Sequence, residues 1–334
     1  MSSRVLKWLK ARALVVRMHI ERLGAWKSLH LIEKRPRLAN ATIVAIVVVR
    51  NERFRLEYFL SYHRRLGVEH FVIIDNESTD GTLEFLQGVQ DVTCYLATGS
   101  YKKAHFGVNW VNFLASYLLH NRWVIVLDAD ELFVYPRMDE LPLGVFCARL
   151  ETIGCHAFNC VMVDLYGRGK VAETFLEDGG DPLKVLTHFD KAGYERRYVS
   201  EYDFVRITGG PRRRLFFQDA ESAPTLNKTP LVKWRRHYLL IHSCHVLWPF
   251  RLNREGELKA AGLSGALLHL KLAHDLISKT LEERARKQRA AEDRAYRRLD
   301  TIAVFEKNIS SAYDGWRCLQ KHGLLSEGRG GIWP

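Results

Sequence analysis

A chain of 334 residues, 47% hydrophobic and 26% charged, can bury a full core and has an ordinary globular composition, which excludes fibrous and disordered classes. Its net charge of +12 is uneven: residues 1–37 hold ten Lys or Arg against two Glu, while the remainder carries 40 basic and 36 acidic residues. Charge confined to one arm, with no accompanying motif, argues against a nucleic-acid partner, and six cysteines without a CxxC pair read as reduced thiols of a cytoplasmic protein.

The basic arm comes first. Val5, Leu6, Trp8, Leu9, Leu14, Val15, Met18, Leu23 and Trp26 supply one apolar side for a helix. Its uncharged stretches, such as Ala13–Val16, are far short of the roughly 20 apolar residues that span a bilayer, and no signal-type apolar region follows the early lysines. Two placements are open: a helix lying peripherally on an anionic inner-membrane surface, or one packed on the body with its basic face solvated. The second is preferred.

Alternating strands and helices follow. Thr42–Val49 is an uncharged β-branched run, hence a buried strand, and Arg53–Leu66 carries Leu56, Phe59 and Leu60 at helical spacing, with Gly67 as its stop. His70–Asp75 is a second strand. Ser78–Thr82 turns it into a short helix through Leu86, and Val92–Ala97 is a third strand. Gly107–Asn121 is a helix with Trp110, Phe113, Leu114 and Tyr117 on one face. Trp123–Phe133 (WVIVLDADELF) then begins as a fourth strand buried on both faces. This order predicts an α/β fold around a parallel, doubly wound sheet. Beyond it, Cys160–Leu165 reads as a strand. Gly167–Pro182 and Thr208–Pro230 read as loops, and Gly265–Arg298 as one long helix or two.

Three of these strands end in polar residues: Arg50-Asn51-Glu52, Asp75-Asn76-Glu77-Ser78, and Asp128-Ala129-Asp130-Glu131. Parallel sheets bind ligands at this edge, and two closely spaced carboxylates suit Mg²⁺ or Mn²⁺ carrying a phosphate. The last pattern alone reads equally well as an acidic, solvated turn. Three polar ends on neighbouring strands favour a site.

At these residues the chain resembles a known family. VVRNERFRLEYFLSYHRRLGVEHFVIIDNESTDGT followed by WVIVLDADELF is similar to family 2-type glycosyltransferases of the GT-A fold, in the bacterial branch with RNE or KNE, DNxSTDGT and DxDE motifs. The match is strong from about Thr42 to Tyr135. It continues more weakly through GGPRRRLFF, LNKTPLVKW and ALLHLKL; the basic arm lies outside it. The resemblance implies a GT-A fold with a nucleotide-sugar-binding half (38–135), an acceptor-side half (136–260) and a helical extension (261–334) beyond the arm (1–37). It implies an inverting enzyme of hexosyltransferase type that moves a sugar from a nucleotide-diphospho-sugar, most often UDP-linked, to a glycan or lipid-linked acceptor in cell-surface polysaccharide synthesis.

Site roles follow from the same resemblance. Arg50, Asn51, Glu52, Asp75 and Asn76 would hold the base and ribose, Asp128 the ribose or metal, and Asp130 the Mn²⁺ or Mg²⁺. A divalent ion would act as Lewis acid on the leaving diphosphate. Arg212, Arg213, Arg214, Lys228 and Lys233 are candidates for the diphosphate oxygens, and His242, His245, His269 and Lys271 for a late metal or phosphate contact, with His245 the first choice as metal ligand. For the general base, Asp219 is the first choice and Asp164 the second. Trp234 and Trp248 are candidates for stacking on a sugar. The competing readings are a non-catalytic carbohydrate-binding protein that retains the fold and a metal-dependent phosphotransferase. The haloacid dehalogenase type of the latter puts its aspartate pair on the first strand, not the fourth. A sugar nucleotidyltransferase would instead open on a glycine-rich loop.

Overall fold

The computed structural model describes residues 3–33, 35–217, 219–276, 301–329 and 333. Helix α1 (Ser3–Gly24) turns Ala11, Val15 and Met18 inward, at the i, i+4, i+7 spacing of one helix face. The arm is thus packed on the body, but not through the apolar side expected of it: of that set Val15 and Met18 are buried, while Leu6, Trp8, Leu9, Leu23 and Trp26 are exposed. It continues into an edge strand, β1 (Leu29–Glu33). The alternating region follows as β2 (Ile43–Val49), α2 (Arg53–Leu66), β3 (His70–Asp75), α3 (Thr82–Gln87), β4 (Val92–Ala97), α4 (Val108–Leu118) and β5 (Trp123–Asp128). These ranges agree with the sequence reading to within three residues at either end. Gly67 closes α2 in the left-handed region at φ 111°, where a side chain would be strained.

The second half contains β6 (Glu131–Val134), α5 (Leu143–Thr152), β7 (Ala157–Tyr166), β8 (His188–Asp190), β9 (Glu195–Val199), β10 (Phe204–Thr208), α6 (Gly210–Phe216), β11 (Asn227–Lys233), β12 (Leu239–Leu240), β13 (Leu247–Trp248), α7 (Glu255–Lys259), β14 (Gly265–Leu272), β15 (Ser310–Ala312) and α8 (Trp316–Lys321). The central sheet runs β1-β4-β3-β2-β5-β11-β7-β14-β6, with β8 and β15 continuing from β7. β4, β3, β2 and β5 are mutually parallel, and β14 is parallel to β7, whereas β11 and β6 run antiparallel to their neighbours. One core cluster lies on each face of this sheet. α2, α3 and α5 cover one face and α1 and α4 the other.

One reading is extended and two expectations change here. The strand that opens WVIVLDADELF ends at Asp128 as read, and Glu131–Val134 forms a further strand that leaves β5 to pair with β14. Thr208–Pro230 is not all loop: it holds α6 and the start of β11. Gly265–Leu272 is a strand, not the start of a helix; the rest of that expected helix, from residue 277 on, lies outside the described residues. An eight-residue apolar run is ambiguous by periodicity alone, and burial between β7 and β6 decides it. Gly265 permits the approach, since a Cβ there would come within 2.6 Å of the Val134 carbonyl oxygen.

Candidate functional site

The register of the sheet places the strand ends side by side. Val49 of β2 pairs with Asp75 of β3, and Val48 pairs with Asp128 of β5. On the far side of the sheet, His269 of β14 pairs with both Asp164 of β7 and Glu131 of β6. The turn between β5 and β6 is tied to β14 by the Leu270 N–H, which donates to the Asp130 carbonyl at 2.8 Å. Asp75 and His269, 194 positions apart in sequence, therefore line one edge.

The first two motifs hold each other. The Arg50 guanidinium donates to the carbonyls of Asn76 and Glu77 at 2.6 and 2.5 Å, and Asn51 Oδ1 accepts from the Thr79 N–H at 2.8 Å. The Glu52 N–H donates to Thr82 Oγ1 at 3.1 Å, and Asn76 Nδ2 donates to the Ala97 carbonyl at 3.0 Å. Much of the RNE and DNESTDGT pattern thus interlocks two loops. Asp75 differs. It is fully buried; one oxygen accepts from the Ser78 N–H at 3.0 Å, and Oδ2 is buried without a hydrogen-bond partner. Burial raises its pKa. An orphaned buried acceptor at a strand end suits a ligand N–H.

The third motif meets residues of the second half. Lys228, only 3% exposed, donates to Asp128 Oδ2 at 2.9 Å and more closely to Glu131 Oε1. One ammonium cannot neutralise both carboxylates with Asp130 nearby. Asp128 is held below its ordinary range by Lys228 against the opposing effect of burial, while burial pushes fully enclosed Glu131 up to about 7. Glu131, without a role in the sequence reading, is here the buried partner of Lys228. It also accepts from the Asp128 N–H at 3.3 Å.

Asp130 faces His269, whose Nε2 lies 3.4 Å from Asp130 Oδ2. The opposite ring nitrogen, Nδ1, is 2.5 Å from Asp164 Oδ1, and the second Asp164 oxygen accepts from Arg212 Nε at 2.9 Å. Asp164 thereby orients the ring with Nε2 toward Asp130. Arg55 approaches Asp130 at 3.7 Å and is shared with Glu52 and Asp275. Burial alone would lower the His269 pKa; Asp130 and Asp164 reverse this and raise it.

A divalent cation fits this donor set in part. Among the described residues no group of three or more His, Cys, Asp or Glu is arranged to hold a metal. Asp130 and His269 offer two ligands, and the carboxylate behind the far ring nitrogen is the usual support of a metal-binding histidine. Ions that carry nucleotide phosphates commonly take one or two side chains and complete their shell from phosphate and water. Across the cluster, Glu52, Asp128, Asp130, Glu131, Asp164 and Asp275 face Arg55, Lys228, Arg212 and His269, so carboxylates exceed the permanently charged bases.

The remaining candidates separate clearly. His245 Nδ1 is 2.7 Å from the Asn227 carbonyl, which only accepts, so Nδ1 carries the proton and Nε2 keeps its lone pair; burial pushes its pKa down to about 3. Asp164 is a poor general base: burial favours its neutral form, but Arg212 and His269 overcome that and hold it at about 2. Asp219 is fully exposed and accepts from the Ser222 N–H within its own turn at 2.8 Å. Neither carboxylate has the properties expected of the base. Arg213 pairs with Glu195 at 2.7 Å, Arg214 binds Asp190 through two nitrogens at 3.0 Å, and Lys233 bonds Glu151 at 2.8 Å. Trp234 is wholly buried in the core and cannot stack on a sugar, and Trp248 stacks with Arg12 instead, 4.6 Å from its ring centre. His242 is exposed, its ring set edge-on to Tyr202. A cavity of about 310 Å³ has Lys228 on its wall together with Asn159, Asn227, Asn253, Arg254 and Ser264.

If Asp130 and His269 hold a divalent ion, Asp164→Asn should weaken its binding about 10- to 100-fold through the loosened His269 ring, measured by calorimetric titration of Mn²⁺. It should also destabilise the protein by about 3 kcal/mol at neutral pH, since Arg212 loses its buried partner. The folded-state pKa of Asp164 is depressed, so this contribution is present above about pH 4 and lost as pH falls toward 2. The variant's deficit should therefore shrink with acidification.

No family model matches the chain, and no curated protein matches it. Solved structures overlap it in part. A 4-diphosphocytidyl-2C-methyl-D-erythritol synthase is 14% identical over 59% of this chain and 76% of its own, with a TM-score of 0.28. A mannosyltransferase from Pyrobaculum calidifontis in complex with GDP-Man and Mn²⁺ is 18% identical over 47% of each chain, with a TM-score of 0.25. A glucosyl-3-phosphoglycerate synthase from Mycobacterium tuberculosis in complex with phosphoglyceric acid is 17% identical over 40% of this chain and 47% of its own, with a TM-score of 0.24. The chain spans about half the length of the mannosyltransferase and of the glucosyl-3-phosphoglycerate synthase. Overlap of this extent does not reach the chemistry of the site. The neighbours are transferases and synthases; the α/β fold of this chain stands on its own sheet topology.

Proposed function

We propose that the chain is a metal-dependent glycosyltransferase of family 2 type, moving a sugar from a nucleoside-diphosphate donor to a hydroxyl of a glycan or lipid-linked acceptor. The observation that carries this reading is the Asp130–His269 pair at the C-terminal edge of a parallel sheet, with the ring locked by Asp164. A bound Mn²⁺ or Mg²⁺ would supply Lewis-acid stabilisation of the departing diphosphate. Asp130 and His269 would hold it, and His245, with its lone pair on Nε2, is a further candidate. Asp75 Oδ2 would accept the N–H of a nucleobase and so end its isolation. Lys228 keeps Asp128 ionised and in place beside the donor. The amide-lined cavity beside Lys228 offers polar partners for acceptor hydroxyls.

Thermal unfolding tests the donor site. UDP or GDP with Mn²⁺, at about one hundred times its dissociation constant, should stabilise the protein by about 2.7 kcal/mol, whereas nucleotide without metal should give a much smaller rise. If neither nucleotide raises the melting temperature in the presence of Mn²⁺ or Mg²⁺, the reading is wrong. Donor hydrolysis measured across a set of nucleotide-sugars would then name the sugar.

A further inference from the structure

Helix α1 carries two apolar faces, and only one is used by the fold. Ala11, Val15 and Met18 are buried against the body, and the helix is pinned there by Arg22, which donates to Ser116 Oγ at 3.0 Å and to the Arg236 carbonyl at 2.8 Å. Lys7 adds an ion pair with Glu201 at 3.2 Å. The rotation of the helix about its axis is therefore set. On the opposite side, Leu6, Leu9, Ala13, Val16, Ile20 and Leu23 recur at alternating spacings of three and four residues, and all are exposed. Val16, Ile20 and Leu23 are each more than 60% exposed, as large apolar side chains seldom are in series. Trp8 and Trp26, near the two ends, are half exposed as well.

Such spacing would also serve as a helix-pairing seam. The flanking positions speak against a second copy: Lys10 and Arg17, the latter 3.4 Å from Glu21 on its own helix, follow seam residues on one side. Two like helices would set these cations against one another. The surface calls for an anionic counterpart that is apolar beneath its charge. We infer that the outward face of α1 docks in the plane of an anionic lipid surface, with Leu9, Val16, Ile20 and Leu23 entering the acyl boundary and Lys10 and Arg17 meeting headgroup phosphates. The inward face remains packed on the domain, so the helix lies along the surface. No helix among the described residues is long and apolar enough to cross a membrane. This surface is independent of the transferase reading.

Flotation of the full chain with phosphatidylcholine vesicles, with and without phosphatidylglycerol, tests it. Binding should require phosphatidylglycerol and weaken with added salt. Lys10→Ser with Arg17→Ser should weaken it about 30-fold, at about fivefold per basic side chain, and Ile20→Glu should abolish it. Both sets of side chains face solvent, so the melting temperature should not change; should Ile20→Glu fail to fold, the serine pair decides alone. No binding to either vesicle, or binding that the serine pair leaves unaltered, overturns the inference. So does a dimer in sedimentation that Ile20→Glu dissolves, because the stripe would then be a self-interface.

Discussion

Asp130→Ala should remove the Mn²⁺-dependent stabilisation by nucleoside diphosphate and reduce glycosyl transfer about 10³-fold. The size follows from what is lost, a ligand to the ion that stabilises charge developing on the leaving group, and single groups in such roles are worth about 10²- to 10³-fold or somewhat more. The fold should survive. The Asp130 carbonyl still accepts from the Leu270 N–H, and Arg55 retains Glu52 and Asp275. His269 loses the carboxylate facing Nε2, so its raised pKa should fall while Asp164 continues to hold Nδ1. Melting of the variant without ligand should lie close to that of the parent. A variant that keeps its metal-dependent nucleotide shift would remove Asp130 from the metal role.

Lys228→Met should destabilise the protein by about 3 kcal/mol at pH 8, the usual cost of stranding one half of a buried ion pair. Lys228 is charged at every pH of interest, since its pKa is raised well above the ordinary lysine value by Asp128 and Glu131 despite the opposing effect of burial. Glu131 sets the pH dependence. Its folded-state pKa is raised to about 7, so its contribution to stability is fullest below the unfolded value near 4.5 and falls as pH climbs through 7. Without the ammonium the charged form becomes costlier still. The loss in Lys228→Met should therefore be greatest above pH 7 and shrink toward pH 5, and adding Glu131→Gln should recover most of it. Urea unfolding at the two pH values measures this. Equal losses at both, with no recovery by Glu131→Gln, would mean that Lys228 acts through something other than buried Glu131.

These two variants probe parts of the site that differ in legibility. Asp128 and Asp130 announced themselves because an apolar run ended in two carboxylates, and periodicity, β-branching and stop signals are local properties. The same is true of β2, α2, β3 and β4, whose boundaries follow from burial on both faces and from Gly67. Lys228 and His269 were visible only as two among several basic or aromatic candidates. Nothing local distinguishes Lys228 from Lys233 or Arg213, yet one is buried between Asp128 and Glu131 and the others pair with carboxylates away from them.

Chain order also misled in places. Asp164 stood as a possible base because it ends an apolar run, but its neighbours Arg212 and His269 make it a weakly basic support. Asp219 stood there for its distance downstream of a basic loop, and it proves to be an exposed turn residue.

The sequence by itself determined the α/β alternation and, through it, the parallel half of the sheet and the edge at which polar strand ends collect, because the helix and strand periods are local signals and a helical crossover between strands makes them parallel. Only the tertiary structure decided that β14 inserts between β7 and β6. That insertion sets His269 across from Asp164 and Glu131 and brings its ring to within 3.4 Å of Asp130, the pairing on which the proposed metal site rests. Strand pairing over a hundred residues is settled by burial of whole faces against one another, which no local pattern encodes.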